Sequence, residues 1–348
     1  MLSANKLLTR ALATALLLPS VAQTPAQPIV QKKLLVAASQ QASNAPTSRF
    51  VHRHGRLQVV GTQLVDQHGN KLALRGVSLG WHSLWPRFYN EAAVQWLRQD
   101  FHCSVVRAAM GIEVGEHNYK QDPASSKEKI NAVVQGAIKA DMYVIIDWHS
   151  HNINLQEAKG FFAEMSKKYA KYPNIIYEVF NEPDQESWPE VKAYSEEVIK
   201  VIRANDPSNV ILVGCPHWDQ DINLPAADPI KGYKNLMYTM HFYAATHGKW
   251  LRDRTDAALQ SGLPVFVSES AGMEASGDGP LNLVAWQEYL DWLEAKSLSW
   301  LVWSVSDKDE TCSMLQKSAS STGSWQDADL KESGLKTRAY LKHYNTAK

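Results

Sequence analysis

Short apolar runs alternate with longer amphipathic stretches along most of the chain. The runs begin roughly 30 residues apart, the size of one strand with its crossover helix, and they cover residues 74–79, 104–109, 143–148, 175–180, 210–214, 237–242, 265–268 and 300–305. Helical periodicity lies between them, for example at 128–140, 188–204 and 283–295. Nearly continuous apolar strands that alternate with amphipathic helices predict a parallel sheet covered by helices.

The number of these units predicts how the sheet closes. Eight units are typical of the (β/α)8 TIM barrel, an α/β fold, and no glycine-rich dinucleotide-binding or phosphate-binding sequence follows any run to favour an open sheet. We therefore expect a single barrel domain over residues 51–348.

The first 50 residues lack this pattern. Lys6 and Arg10 precede an apolar run at 11–18, and small residues up to Ala22 follow it, which predicts a cleaved signal peptide at 1–22 and export of the protein. Residues 23–50 are rich in Gln, Ala, Ser, Pro and Thr, the composition of a tail or linker. Strand-like pieces at 57–60 and 63–65, with turn residues at 67–70, predict a hairpin that covers one end of the domain.

Composition argues against several classes of partner. The chain has 36 basic and 36 acidic residues, so no strong field attracts nucleic acid or an anionic membrane. The run at 11–18 is far shorter than the ~20 residues that span a bilayer. Cys103, Cys215 and Cys312 are odd in number and lack metal-ligand spacing, so we predict neither disulfides, a metal site nor a cofactor. We expect a monomer that acts on a neutral or small substrate.

Titratable and aromatic residues stand where the predicted strands end. Barrel enzymes draw their catalytic groups from these positions, and such side chains would be unfavourable there unless a polar cleft received them. The residues are Arg107, Asp147, His149, Asn181, Glu182, His241, Tyr243, Glu269, Trp303, Asp307 and Lys308.

Glu182 and Glu269 end the fourth and seventh predicted strands. These strands lie on opposite sides of an eight-membered ring, so the two carboxylates can face each other across its mouth. Hydrolysis of a glycosidic bond uses such a pair: one carboxyl protonates the leaving oxygen while the other attacks the anomeric carbon, and retaining enzymes hold the two about 5–5.5 Å apart. The pair therefore indicates a retaining glycoside hydrolase.

Six short sequence words carry these residues in a fixed order. They are V-V-R-A-A-M around Arg107, I-I-D-W-H around His149, Y-E-V-F-N-E-P around Glu182, M-H-F-Y-A-A-T-H-G around His241, P-V-F-V-S-E around Glu269 and W-S-V-S-D-K around Trp303. From about Leu72 to the C-terminus the chain thereby resembles glycoside hydrolase family 5, and in particular its bacterial-type endo-β-1,4-glucanases.

The resemblance implies a role for each of these residues. Glu182 would be the acid/base, Glu269 the nucleophile and Arg107 a donor to Glu269. The supporting residues around the cleaved sugar would be His149, Asn181, His241 and Tyr243. The substrate implied is a β-1,4-glucan or its cello-oligosaccharides.

The resemblance to the family is less regular at the residues that would bind the sugar chain. Trp303 resembles the aromatic platform beneath the sugar next to the cleaved bond, and Trp85 and Lys308 resemble further contacts. The segment from Gly76 to Trp85 carries one extra residue against the family pattern, so either His82 or Trp81 can take the position of a family histidine; we favour His82. Ser270 and Ala271 stand where relatives commonly have an aromatic residue. Trp81, Trp218 and Trp250 are not predicted to bind the sugar chain.

Three alternatives remain. A metal-dependent barrel hydrolase would use His149 and His151 as ligands, because alternate residues of an extended segment face the same way. A non-catalytic carbohydrate-binding protein would suit the aromatic cleft but has no need of both glutamates together with Arg107 and Tyr243. A β-mannanase or mixed-linkage β-glucanase would share the same catalytic residues, since the fold does not decide the substrate.

Overall fold

The computed structural model describes residues 49–346. The predicted signal peptide and almost all of the predicted tail lie outside these residues, and both stay predictions. The strands are β1 (Gln58–Val60), β2 (Gln63–Val65), β3 (Arg75–Leu79), β4 (Val105–Gly111), β5 (Tyr143–His149), β6 (Ile175–Glu178), β7 (Val210–Val213), β8 (Leu236–Tyr243), β9 (Val265–Ala271) and β10 (Trp300–Val305).

Helices follow most of the strands. They are α1 (Phe50–His54), α2 (Glu91–Gln99), α3 (Pro123–Lys139), α4 (Leu155–Tyr169), α5 (Trp188–Asn205), α6 (Pro216–Asp219), α7 (Asn223–Ala227), α8 (Lys249–Gln260), α9 (Leu283–Lys296) and α10 (Glu332–Thr346). Helix α3 begins five residues before its apolar periodicity does, because Asp122 caps it by accepting a hydrogen bond from the backbone N–H of Ser125 at 3.0 Å.

Strands β3 to β10 form one closed barrel in which every neighbouring pair is parallel. The predicted (β/α)8 barrel is confirmed. Close pairing of β3 with β4 requires Gly76, since a Cβ atom there would lie 1.7 Å from the carbonyl oxygen of Val105. Strand β6 ends at Glu178, two residues earlier than its apolar run, so Asn181 and Glu182 lie on the loop that follows it.

One end of the barrel is closed by the segment before β3. Strands β1 and β2 form an antiparallel hairpin, and Val51 of α1, Leu57 and Leu64 pack in one cluster with Val105 and Tyr143 at the beginnings of β4 and β5. The predicted hairpin thus covers the end where the strands begin, and the opposite end is left for a site.

The three cysteines are all buried and free, as expected for small apolar residues of the core. Of the helices in the part of the chain that the structure describes, none combines the length and apolar composition needed to cross a membrane.

Candidate active site

The two predicted catalytic carboxylates meet at the carboxyl end of the barrel. Glu269 lies within β9, whereas Glu182 lies four residues beyond β6. The backbone before Glu182 still bonds to β5, from the N–H of Asn181 to the carbonyl of Trp148 at 3.1 Å. A carboxylate oxygen of Glu182, a ring nitrogen of His241 and a carboxylate oxygen of Glu269 all lie within 4.8 Å of one another.

Glu269 is held by two donors. Arg107 Nη1 lies 2.9 Å from Oε2, and the Tyr243 hydroxyl donates to Oε1 at 2.7 Å. Its side chain is only 5% exposed, so its two oxygens are fixed by protein groups rather than by bulk water. Burial raises the pKa of Tyr243 well above its ordinary value, which keeps the phenol a donor. A fixed, ionised carboxylate is what a nucleophile requires.

Glu182 has a different environment. His241 Nδ1 lies 2.8 Å from its Oε1, and His151 Nδ1 contacts its backbone oxygen at 3.1 Å. Its side chain is 13% exposed, so it faces the cleft more openly than Glu269 does. Burial lowers the pKa of His241 to about 4, so this imidazole is neutral near pH 7 and leaves Glu182 without a cationic partner on that side.

Arg107 lies at the centre of a buried network. Besides Glu269, its guanidinium donates to Glu178 Oε2 at 2.6 Å and to Asn181 Oδ1 at 2.5 Å, and it lies 3.1 Å from Asp147 Oδ2. One positive charge cannot neutralise three carboxylates, and burial accordingly raises the pKa of Asp147 to about 8 and that of Glu178 to about 7. When these two are protonated, the guanidinium charge is left for Glu269.

Glu178 was not predicted as a site residue, and Asp147 was named only as a strand-end residue without a role, although both lie in the quoted sequence words. The sequence signal for Glu178 was its position inside an apolar strand, because a fully buried carboxyl group needs hydrogen-bond or ion-pair partners.

Aromatic rings form one wall of the cleft. The ring of Trp303 lies parallel to that of His149, with centroids 5.1 Å apart and planes at 11°. Trp81 meets His149 edge-on at 4.8 Å and His151 at 5.9 Å. His149 Nδ1 contacts Asp147 Oδ2 at 2.7 Å, and burial lowers the pKa of His149 well below its usual value, so its ring too is neutral.

The prediction for His82 is corrected. Its ring is 2% exposed, Nδ1 accepts from the backbone N–H of Gly111 at 3.0 Å, and Nε2 contacts Ser126 Oγ at 2.8 Å. Both nitrogens are therefore used inside the protein, where they join the loop after β3 to α3. Its neighbour Trp81 faces the cleft instead.

The other two predicted sugar contacts lie at the edge of this wall. Trp85 packs on the loop after β3, where a Cβ at Gly80 would lie 2.6 Å from its ring. Lys308 is exposed and pairs with Glu310 at 2.9 Å. Their contacts with substrate stay predictions.

A cavity of about 510 Å³ opens beside Glu182, away from Trp303. Its lining includes Trp218 and Trp250, which are 38% and 45% exposed and were left out of the predicted site. Arg254 joins their segments: it lies 5.0 Å from the Trp250 ring centroid and donates to Asp221 Oδ1 at 2.5 Å. Sequence gave no signal that these two rings would be exposed.

One group of described residues has the geometry to hold a metal ion, namely Glu182, His241 and Glu269. It is made of the predicted acid/base, the predicted nucleophile and the histidine between them, so a metal would occupy the position of the reacting groups. The alternative ligands His149 and His151 have ring centroids 6.4 Å apart and planes at 80°, and the Nδ1 atom of each faces a protein oxygen.

The family model for cellulase, glycosyl hydrolase family 5, matches residues 65–309 of the chain. An endoglucanase of Clostridium saccharobutylicum is 41% identical over 299 residues, which cover 84% of this chain and 66% of the relative. The chain spans only 57–66% of the length of three such curated endoglucanases.

Solved structures are similar over nearly their whole length. One from Cytophaga hutchinsonii superposes with a TM-score of 0.84 and 43% identity, covering 86% of this chain and 98% of that one. The catalytic domain of the Thermobifida fusca endoglucanase Cel5A gives a TM-score of 0.79 and 33% identity, covering 84% and 99%. A variant of that domain has been solved in complex with cellotetraose.

Proposed function

The chain belongs to glycosyl hydrolase family 5, the cellulase family, and from this premise we propose that it is an exported endo-β-1,4-glucanase that cleaves internal bonds of cellulose and soluble β-glucans with retention of configuration. The observation that carries the proposal is the pair formed by Glu182 and Glu269, whose nearest oxygens lie within 4.8 Å. This separation agrees with the retaining arrangement, in which the carboxyl groups lie about 5–5.5 Å apart, rather than with the ~6.5–9.5 Å that an inverting enzyme uses to hold a water molecule.

In the first step Glu269 attacks the anomeric carbon while Glu182 protonates the leaving oxygen. Arg107 and Tyr243 fix both oxygens of Glu269, which orients the carboxylate before substrate arrives. Asn181, held by Arg107, presents its amide at the same level, where a contact to the sugar 2-hydroxyl would strengthen in the transition state.

In the second step Glu182 takes a proton from water, and that water attacks the glycosyl ester of Glu269. The neutral His241 lies 2.8 Å from Glu182 Oε1 and places no positive charge there while this carboxyl gives and then receives a proton. Trp303 and Trp81 provide flat apolar faces for sugar rings on one side of the cleaved bond.

The substrate is supported by the names of the relatives, which are endoglucanases, and by the cellotetraose complex of one of them. Export is supported by the sequence pattern at 1–22 alone. We further propose that the enzyme acts as a monomer without a cofactor.

An NMR time course tests mechanism and substrate together. The purified protein is given a defined cello-oligosaccharide, with the matching manno-oligosaccharide as control. We expect the β-anomer of the product to appear first from the cello-series. Cleavage of the manno-oligosaccharide alone would show that the substrate is a β-mannan. First release of the α-anomer would refute the retaining mechanism.

A further inference from the structure

A chain of three short contacts runs beneath the cleft from Glu182 to Glu178. Glu182 Oε1 lies 2.8 Å from His241 Nδ1, His241 Nε2 lies 2.8 Å from Ser268 Oγ, and Ser268 Oγ lies 2.6 Å from Glu178 Oε1. His241, Ser268 and Glu178 are at most 1% exposed. Protein groups, rather than bulk water, therefore set the direction of these hydrogen bonds.

The directions are linked, because a serine has one hydroxyl proton and a neutral imidazole has one N–H. If Glu178 is ionised, the Ser268 hydroxyl donates a hydrogen bond to it, and His241 Nε2–H donates to Ser268. The unprotonated Nδ1 of His241 then accepts a hydrogen bond from protonated Glu182. If Glu178 carries the proton, every donor becomes an acceptor, and His241 Nδ1–H points to an ionised Glu182. The two arrangements hold the same number of protons and differ in which carboxyl is protonated, in the direction of the Ser268 hydroxyl and in the tautomer of His241.

We propose that Glu178 is a second site for the catalytic proton of Glu182, exchanged through Ser268 and His241, so that this buried residue sets the fraction of enzyme whose acid is protonated. Transfer from Glu182 moves one proton to Nδ1, one from Nε2 to Ser268 and one from Ser268 to Glu178, and no other reactant is needed. Glu178 is thus a positioning residue, and the inference rests on the proposed role of Glu182.

The groups around the relay suit this exchange. Arg107 donates to the other oxygen of Glu178 at 2.6 Å, and Asp219 Oδ2 lies 3.2 Å from His241 Nε2. Burial raises the pKa of Asp219 well above its usual value, which favours the uncharged form of this carboxyl beside the relay. Burial also raises the pKa of Glu178 to about 7, which allows either arrangement near neutral pH. The other titratable groups that interact electrostatically with members of the relay are Asp147, His149, His151, Tyr243 and Glu269.

Three substitutions distinguish a role of Glu178 in proton exchange from a role in packing alone. In Glu178→Gln the amide carbonyl can face Arg107 while the NH2 group faces Ser268, and since an amide nitrogen only donates, the chain is fixed with Nδ1–H directed at an ionised Glu182. Ser268→Ala interrupts the chain. Ser268→Thr keeps the hydroxyl and is the matched control.

The pH dependence of kcat/KM gives the first readout. On cellotetraose, whose leaving group needs protonation, Glu178→Gln should shift the alkaline limb about one pH unit lower and reduce the rate at pH 7 about tenfold. On an aryl cellobioside with an acidic leaving group the rate should change little, and Ser268→Thr should keep the wild-type profile. Equal losses on both substrates with an unmoved alkaline limb would show that Glu178 only supports the structure.

The tautomer of His241 gives a second readout that needs no turnover. In protein labelled with ¹⁵N-histidine, the two ring nitrogens of wild-type His241 should show shifts averaged between tautomers, whereas Glu178→Gln should show a fixed Nδ1–H. Identical ring shifts in the two proteins would overturn the relay. If the wild type cleaved no β-glucan, the proposed function would fail, and the tautomer comparison would still decide whether the relay exists.

Discussion

Arg107 and Glu269 form an ion pair that is closed off from solvent: Nη1 and Oε2 lie 2.9 Å apart, and the two side chains are 0% and 5% exposed. Breaking a buried pair by removing one partner leaves the other charge without compensation. Arg107 also forms ion pairs with Glu178 and Asp147. Its removal would therefore leave buried carboxyl groups on three β-strands without their positively charged partner.

Replacing Arg107 should therefore affect stability and activity together. We expect Arg107→Met to lower the free energy of unfolding by about 3–5 kcal/mol, measured by urea denaturation. Arg107→Lys keeps the charge but cannot reproduce the fork of donors, so it should recover part of the stability and little of the activity. A surface control, Lys127→Met, breaks a half-exposed pair with Glu164 and should change the free energy by less than about 1 kcal/mol.

Glu269 and Glu182 should be distinguishable by chemical rescue. Glu269→Ala should have no detectable turnover but should recover with added azide, which attacks from the vacated side and gives an α-glycosyl azide. In Glu182→Ala the rate of cello-oligosaccharide hydrolysis should fall about 10²–10⁴-fold, and the rate of the first step on activated aryl glycosides should fall much less. With this variant, added azide should give the β-glycosyl azide. Both proteins should keep the wild-type circular dichroism spectrum, and the same azide anomer from both would mean that the roles are misassigned.

The barrel and the meeting of Glu182 with Glu269 were predictable because both depend on regular patterns. One apolar run in each βα unit predicts the eight strands of the barrel. The carboxyl ends of these strands meet at one face of the barrel, and Glu182 and Glu269 therefore lie close together. The proposed nucleophile lies within its strand and the proposed acid lies four residues beyond its own, so a boundary error of two residues at β6 did not separate them.

Local backbone geometry was not predictable in the same way. After β3, which of the neighbours Trp81 and His82 faces the cleft depends on a loop with one extra residue, and the structure turns His82 toward Ser126 instead. Trp218, which is 38% exposed, lies in a segment, residues 217–219, in which every φ is between 52° and 60°. Three consecutive non-glycine residues in the left-handed region are disfavoured by sterics, so no propensity argument would place them there.

The exposed pair Trp218 and Trp250 should bind the leaving-group part of the substrate. The cavity they line also contacts Glu182, the proposed acid. The backbone N–H of Trp218 donates to the carbonyl of Pro183, the residue after Glu182, at 3.0 Å. Trp218→Ala or Trp250→Ala should raise KM for cellopentaose about five- to tenfold, the loss of one aromatic face.

The same two variants should leave an aryl cellobioside nearly unaffected, since its small leaving group does not reach both rings. Val60→Ala removes an exposed apolar side chain from the hairpin at the other end of the barrel and should change neither substrate. A KM increase of the same size on both substrates would place the two tryptophans outside the leaving-group side.

Asp147 should make stability depend on pH in a direction opposite to that of most carboxylates. Burial raises its pKa to about 8 from an ordinary value of 3.8, so between these two values the folded protein binds a proton that the unfolded chain has released. Its contribution to stability is fully present below pH ~4 and is lost as pH rises through ~8. Asparagine does not titrate, so Asp147→Asn should lack this loss.

Thermal unfolding of wild type and Asp147→Asn from about pH 5 to pH 9 tests this sign. The Tm of the variant should rise relative to that of the wild type as pH increases, because only the wild type must ionise a buried carboxyl. Glu190→Gln is the control: hydrogen bonds from Ser187 lower the pKa of Glu190, so it stays ionised across this range and its Tm difference should be constant. A constant difference for Asp147→Asn as well would mean that Asp147 is ionised throughout, with Arg107 as its counter-ion at 3.1 Å.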